Sequence, residues 1–134
     1  MENQKQNTGE EVVFLLKQQR NLYHQLKSLA QKQSKIFWTS ASPEDLVRIL
    51  SGRRKLIEKL RQVNDKLRPI KANWQNISLK IAPGQLEIAR QLAGSVALLV
   101  AQLRDITDGK DQAEDILSDT AQLAYEFSAE DETL

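Results

Sequence analysis

The sequence predicts an all-α protein: an antiparallel hairpin of long helices, coiled-coil in character, extended to a three-helix bundle with a short C-terminal amphipathic helix. Three observations carry this. Leu46, Ile49, Arg53, Leu56, Leu60, Val63, Leu67, Ile70, Trp74, Ile77 and Ile81 step by three and four residues in strict alternation. Such a run is a heptad seam, too narrow to stand alone, and it needs partner helices to cover it. The composition agrees, with three prolines and five glycines among 134 residues rich in Leu, Gln, Lys, Glu and Ala, which suits helices. Two further stretches, on either side of the seam, repeat the same rhythm. The length fits one domain with its own core.

In chain order, residues 1–8 are polar and read as a disordered N-terminus. Thr8 with Glu11 makes a capping-box pair, which starts the first helix near Gly9. Leu15, Leu22, Leu29 and Ile36 hold one seam position of this helix; Val12, Gln19, Leu26 and Gln33 hold the other. Leu16, Tyr23, Ala30 and Phe37 widen the stripe until it can touch two neighbours, as in a bundle. Over residues 9–37 the helix spans roughly 44 Å. Gln19 and Gln33 read as polar residues that set register.

Residues 38–42 connect the first helix to the second. Ser42 caps the second helix, Pro43 fits its first position and Asp45 sits at the capping-box site. So short a connector makes the two helices antiparallel neighbours. Pro69 removes a backbone donor inside the second helix and disfavours helical geometry at Arg68. Because the seam keeps phase from Leu67 through Ile70 to Trp74, a kink near Arg68 is expected instead of a stop. Ala82-Pro83-Gly84 is a firmer break.

A third helix follows from about Gln85 to Asp108, with Ala89, Leu92, Val96, Leu99, Leu103 and Ile106 on its seam and Leu86, Ala93, Leu98 and Val100 beside it. Its low charge predicts that it is the most buried. Residues 9–108 thus form the helical bundle domain. Asp108-Gly109 supplies a stop, and residues 109–134 form an acidic amphipathic tail. Asp111 and Glu114 make another capping pair there. Ala113, Ile116, Leu117, Leu123, Ala124 and Phe127 share one side, and Asp119, Glu126, Glu130, Asp131 and Glu132 make the rest acidic.

The net charge of +1 conceals a division. Residues 1–107 hold 18 Lys and Arg against 9 Asp and Glu; residues 108–134 hold one Lys against nine acids. Chemistry finds no foothold in either part. There is no cysteine, and His24 is the only histidine, so no zinc site or nucleophile–base pair can be assembled. The acids around Gly109 fail the calcium-loop pattern, which would require ligands at Arg104 and Ile106. The chain reads as a non-enzyme with no catalytic residue, cofactor or metal. Residues 1–9 lack the apolar core of a signal peptide. Residues 92–103, the most apolar window, fall short of the about 20 residues that span a bilayer. A cytoplasmic protein without membrane insertion is the expectation.

Two features could bind a partner. Arg53, Arg54, Lys55, Lys59, Arg61, Lys66, Arg68 and Lys71 could track a phosphate backbone, but Glu58 and Asp65 interrupt them and no stacking aromatics accompany them. A solvated face that attracts the acidic tail is the stronger reading, and nucleic acid the weakest partner class. Arg53, on the seam, reads as snorkelling or pairing with an acid; Trp74 reads as core. The tail has two readings that stand side by side. It is a fourth helix docked on the bundle or on a second subunit, which allows a homodimer, or it is a semi-ordered arm that grips a client.

Residues 14–33, Phe-Leu-Leu-Lys-Gln-Gln-Arg-Asn-Leu-Tyr-His-Gln-Leu-Lys-Ser-Leu-Ala-Gln-Lys-Gln, and residues 42–60, Ser-Pro-Glu-Asp-Leu-Val-Arg-Ile-Leu-Ser-Gly-Arg-Arg-Lys-Leu-Ile-Glu-Lys-Leu, resemble the FlgN-type flagellar export chaperones. That family has a long helix with charged–Gln repeats near its end, a short break, and a helix whose leucines alternate with charges. As a pattern the likeness covers about residues 12–107. Pro69, the Ala82-Pro83-Gly84 break and the apolar third helix depart from it. The resemblance implies a small cytoplasmic chaperone that binds terminal helices of hook-associated subunits, prevents early assembly and escorts them to the type III export apparatus. It places client binding on about Asp111 to Phe127. Ile116, Leu117, Leu123 and Phe127 would make the apolar contact in helix-in-groove fashion, and Tyr125 would be an exposed aromatic for docking on the export machinery.

Overall fold

The computed structural model describes residues 2–39, 42–107 and 114–129. Five helices occupy them: α1 (Glu2–Thr39), α2 (Pro43–Ala72), α3 (Trp74–Ser78), α4 (Pro83–Thr107) and α5 (Glu114–Ser128), with no strand among the described residues. The all-α bundle is as the periodicity predicts, with four long helices in the core where three were expected. The tail's Asp111, Ala113, Glu130, Asp131 and Glu132, the Asp108-Gly109 stop and residues 40–41 of the connector lie outside the described residues, as do the side chains of Ile36, Phe37 and Trp38.

Helix α2 opens as its sequence dictates. The Ser42 hydroxyl accepts the Asp45 N–H at 3.3 Å, Pro43 stands in the first turn, and Glu44 and Asp45 meet the positive end of the helix dipole. Helix α1 opens differently. It is helical from Glu2, through the residues 1–8 assigned to a disordered tail, and Thr8 does not begin it. A cap contributes only about 1 kcal/mol, too little to stop a helix whose preceding residues include good helix formers. Gly9 instead lies buried within α1, where a Cβ would collide with the Gln85 amide of α4. It is a point of close helix approach.

Pro69 does not stop the second helix, as the unbroken phase of the seam predicts. The helix continues through it to Ala72, and the backbone leaves helical geometry at Asn73, with φ −112° and ψ 17°. The balance of magnitudes explains the continuation. An interior proline costs about 3 kcal/mol, while Leu67 and Trp74, buried on either side of it, are worth about 1.5–3 kcal/mol each. Pro69 itself faces solvent. The chain then passes through α3, and α4 starts at Pro83, at the predicted break.

Side-chain pairings give the topology. Gln19 meets Asn64 and Gln33 meets Arg53, so α1 and α2 run antiparallel. Gly9 lies beside Gln85 and Lys27 reaches Gln102, so α1 and α4 run parallel. Arg104 meets Glu114 and Ser118, so α4 and α5 are antiparallel. Asn64 meets Thr120 and Trp74 meets Phe127, so α2 and α5 are parallel. Each of these four helices packs on two others, α1 on α2 and α4, α5 on α4 and α2. The molecule is therefore two antiparallel hairpins packed in parallel, with α3 carrying the chain across the diagonal.

A polar network lies inside this apolar core. Gln19, Asn64 and Thr120 are fully buried. Gln19 Nε2 donates to Asn64 Oδ1 at 2.8 Å, and Asn64 Nδ2 donates to Thr120 Oγ1 at 2.9 Å and to Asp119 Oδ2 at 3.1 Å. Tyr23 donates its hydroxyl to Thr120 Oγ1 at 2.6 Å, and Thr120 donates to the Ile116 carbonyl at 2.8 Å. One hydroxyl thus joins α1, α2 and α5. Thr120→Val keeps shape and removes the shared acceptor: Asn64 Nδ2 keeps only Asp119, and the Tyr23 hydroxyl turns to the Ile116 carbonyl, 3.4 Å away; a buried donor that loses its acceptor costs about 1–3 kcal/mol. Urea unfolding should show a loss of about 1 kcal/mol or more; a change under about 0.5 kcal/mol would mean that the network contributes nothing to stability.

Candidate functional site

The residues singled out for client contact belong to α5, and the structure brings them together on one face. Ile116, Leu117, Leu123 and Phe127 recur at helical spacing and are buried, together with Thr120 and Ala124, in the groove bounded by α1, α2 and α4. The Phe127 ring meets Trp74 edge to face, with centroids 4.8 Å apart and planes at 79°, a geometry favoured by the ring quadrupoles. Tyr125 points the other way and is 75% exposed. Of the five proposed contact residues, four are therefore part of the protein's own core and one is free at the surface. Of the two readings of the tail, the fourth docked helix is the one seen.

This docking revises the expected order of burial. Six of the fifteen α5 residues are buried, against seven of the twenty-four in residues 83–106 of α4, so the acidic helix is more deeply seated than the apolar one. Low charge misleads here because it measures both faces of a helix, whereas seating depends on the density of one face. The outer face of α4 stays in water: Leu98 is exposed. Pro83–Ile106 is long and apolar enough to cross a membrane by length and composition, whereas residues 92–103 alone were not; only 39% of its most apolar window is buried.

Charge fixes the edges of α5. Asp119 takes Arg68 at 2.8 Å on the α2 side, and Glu114 takes Arg104 at 2.9 Å on the α4 side. The Arg68 guanidinium also holds Asp65 at 2.8 Å. Hydrogen bonds to Asp65 and then Asp119 push its pKa above the ordinary arginine value, so it stays cationic. These pairs lie in solvent, and each is worth about 0–1 kcal/mol. The apolar face and Thr120 hold the helix, and the ions orient it. This is the meeting of basic face and acidic tail that the charge division suggested.

The other sequence candidates resolve individually. Arg53 gives its guanidinium to the Gln33 amide at 2.9 Å in a part-buried pair. Gln33 and Gln19 are both used between α1 and α2, as register-setting residues would be. Trp74 is in the core, and His24 faces solvent. Arg54, Lys55, Lys59, Arg61 and Lys66 are exposed, with Glu58 and Asp65 exposed among them. Among the described residues no three His, Cys, Asp or Glu side chains are grouped to hold a metal. Sequence reading missed Asn64 and Thr120. The signal was there for Thr120, which sits three or four residues from Ile116, Leu117, Leu123 and Ala124, inside the apolar stripe.

Comparison of the chain with protein-family models, curated proteins and solved structures finds no match. The fold and site define an α-helical bundle with a docked C-terminal amphipathic helix. Phe127→Ala should cost about 3–5 kcal/mol and shift Trp74 fluorescence, while Tyr125→Ala should change stability by under about 0.5 kcal/mol. Chemical denaturation followed by tryptophan emission measures both; equal effects would contradict the two-faced placement of α5.

Proposed function

We propose that this protein is a cytoplasmic export chaperone that binds helical segments of flagellar hook-associated proteins, prevents their premature assembly and escorts them to the type III export apparatus. The reading rests on one observation, the likeness of residues 14–33 and 42–60 to the helical hairpin of FlgN-type chaperones. The seating of α5 supplies a physical route to client binding. Its groove accepts one amphipathic helix with apolar residues at three- and four-residue spacing, which is also the description of a client helix. Because Ile116, Leu117, Leu123 and Phe127 are occupied in the free chain, a client engages them by exchange: α5 leaves the groove as the client enters, or the released α5 and the client pair on the bundle. Exchange weakens apparent affinity by the fraction of chains with α5 undocked. Tyr125 remains outside in either state, available to the export machinery.

The test uses the full chain with Trp38→Phe, leaving Trp74 as the fluorescent reporter of Phe127. Titration with a synthetic peptide of the terminal helix of a hook-associated protein should give saturable binding and a red shift of Trp74 emission. Absence of binding up to about 100 μM would remove the chaperone reading; binding with unchanged emission would keep it and remove the exchange.

A second reading has its own support. The burial of α5 is what a structural bundle or adaptor with the tail as part of its core requires. It is favoured if the peptide does not bind and if a chain ended after Thr107 loses its cooperative unfolding transition.

A further inference from the structure

The groove that seats α5 is apolar along most of its length and polar at one level. There Asn64 of α2 divides its amide hydrogens between two successive residues of α5. Nδ2 donates to Asp119 Oδ2 at 3.1 Å and to Thr120 Oγ1 at 2.9 Å. The amide oxygen is taken from the other side by Gln19 Nε2 of α1, at 2.8 Å. That bond decides which end of the amide faces α5: with Oδ1 held by α1, the N–H2 end is the one offered to an occupant. Arg68 donates to the same Asp119 oxygen at 2.8 Å, and Tyr23 donates to Thr120 Oγ1 at 2.6 Å. At this level the bundle's side chains therefore meet α5 with donors alone, and α5 answers with a carboxylate and a hydroxyl oxygen.

Such a site discriminates among helices. An amphipathic helix with alanine, valine or leucine at the level of Thr120 satisfies the apolar walls and leaves one Asn64 hydrogen without an acceptor. Gln19, Tyr23, Asn64 and Thr120 are all at 0% exposure, so water does not take the missing place. A donor stranded in this way weakens binding about fivefold or more. Tyr23 is more tolerant, because its hydroxyl can turn to the Ile116 carbonyl at 3.4 Å, and any helix brings a carbonyl there. A lysine or arginine in place of Asp119 would set like charge against Arg68. The discrimination lies with Asn64, and Gln19 positions it.

We infer that Asn64 is the specificity-determining residue of the groove. It selects a helix in which an acidic residue is followed directly by serine or threonine, with apolar residues three and four positions to either side of the hydroxyl. α5 carries this pattern as Asp119-Thr120 between Ile116-Leu117 and Leu123-Ala124. None of α1 to α4 contains an acid followed directly by serine or threonine, so the chain's other amphipathic helices are refused by the same rule. Selection of a client in this way presupposes that α5 exchanges with it, as proposed above. It narrows the client from amphipathic helices in general to those with the acid–hydroxyl pair.

The test uses the full chain with Thr120→Val, whose resident helix lacks the hydroxyl, and a fluorescein-labelled peptide of residues 112–129 followed by anisotropy. The peptide should bind, and its Thr120→Ser form should bind within about twofold of it. Its Thr120→Val form should bind at least about fivefold more weakly, and Asp119→Ala should weaken it as well. In a chain that also carries Asn64→Leu the preference for threonine over valine should vanish. Gln19→Met, which frees the amide to turn, should reduce that preference and serves if the Asn64 variant does not fold. Equal binding of the threonine and valine peptides would overturn the selection while leaving exchange standing. A preference unchanged by Asn64→Leu or by Gln19→Met would overturn its assignment to Asn64. Binding of neither peptide up to about 100 μM would remove exchange and the selection together.

Discussion

The Thr120 hydroxyl is the constraint on which the arrangement of helices depends. It uses its whole hydrogen-bonding capacity, giving one hydrogen to Ile116 and taking one each from Tyr23 and Asn64. Hydrophobic burial is indifferent to small slips and rotations; a buried hydroxyl between two donors is not. Sliding α5 by one residue turns Thr120 by about 100° and strands both. The network therefore converts general attraction between apolar faces into one register. It also states what remains unsettled in the core: Gln19 Oε1 is buried without a donor, a cost the fold bears for having Gln19 Nε2 available to Asn64.

Architecture was largely legible in the chain because its signals are local and repeat. The seam from Leu46, the Ser42-Pro43 start and the Pro83 break each rest on a few residues, and each is found in place. A local preference failed at Thr8–Glu11, which does not begin α1: the helix already runs from Glu2. The candidate site was legible in composition and not in consequence. Amphipathicity identified the α5 face residue by residue, but whether that face meets its own bundle or another protein depends on a groove built from three other helices. No periodicity within residues 114–128 contains that groove. Asn64 and Thr120 were missed for the same reason, since a polar residue in a stripe is explained only by what faces it.

The charge division of the sequence becomes a neighbourhood in space. Arg68 and Asp119 are 51 residues apart in the chain and 2.8 Å apart in the fold. The basic hairpin and the acidic helix each temper the field of the other, so the molecule presents mixed charge on the α2–α5 side. The exception is the outer side of α4, where neither sign is present for thirteen residues. The charged surface of the bundle thus comes mainly from α1, α2 and α5.

The diagonal crossing from α2 to α4 has a consequence in time. Every wall of the groove that receives α5 comes from residues before Thr107, so the walls can assemble without α5. Helices and hairpins form in microseconds, so the walls can meet before α5 is seated; until it is, the trough is vacant and apolar, and what occupies it first is a matter of which helix is nearest.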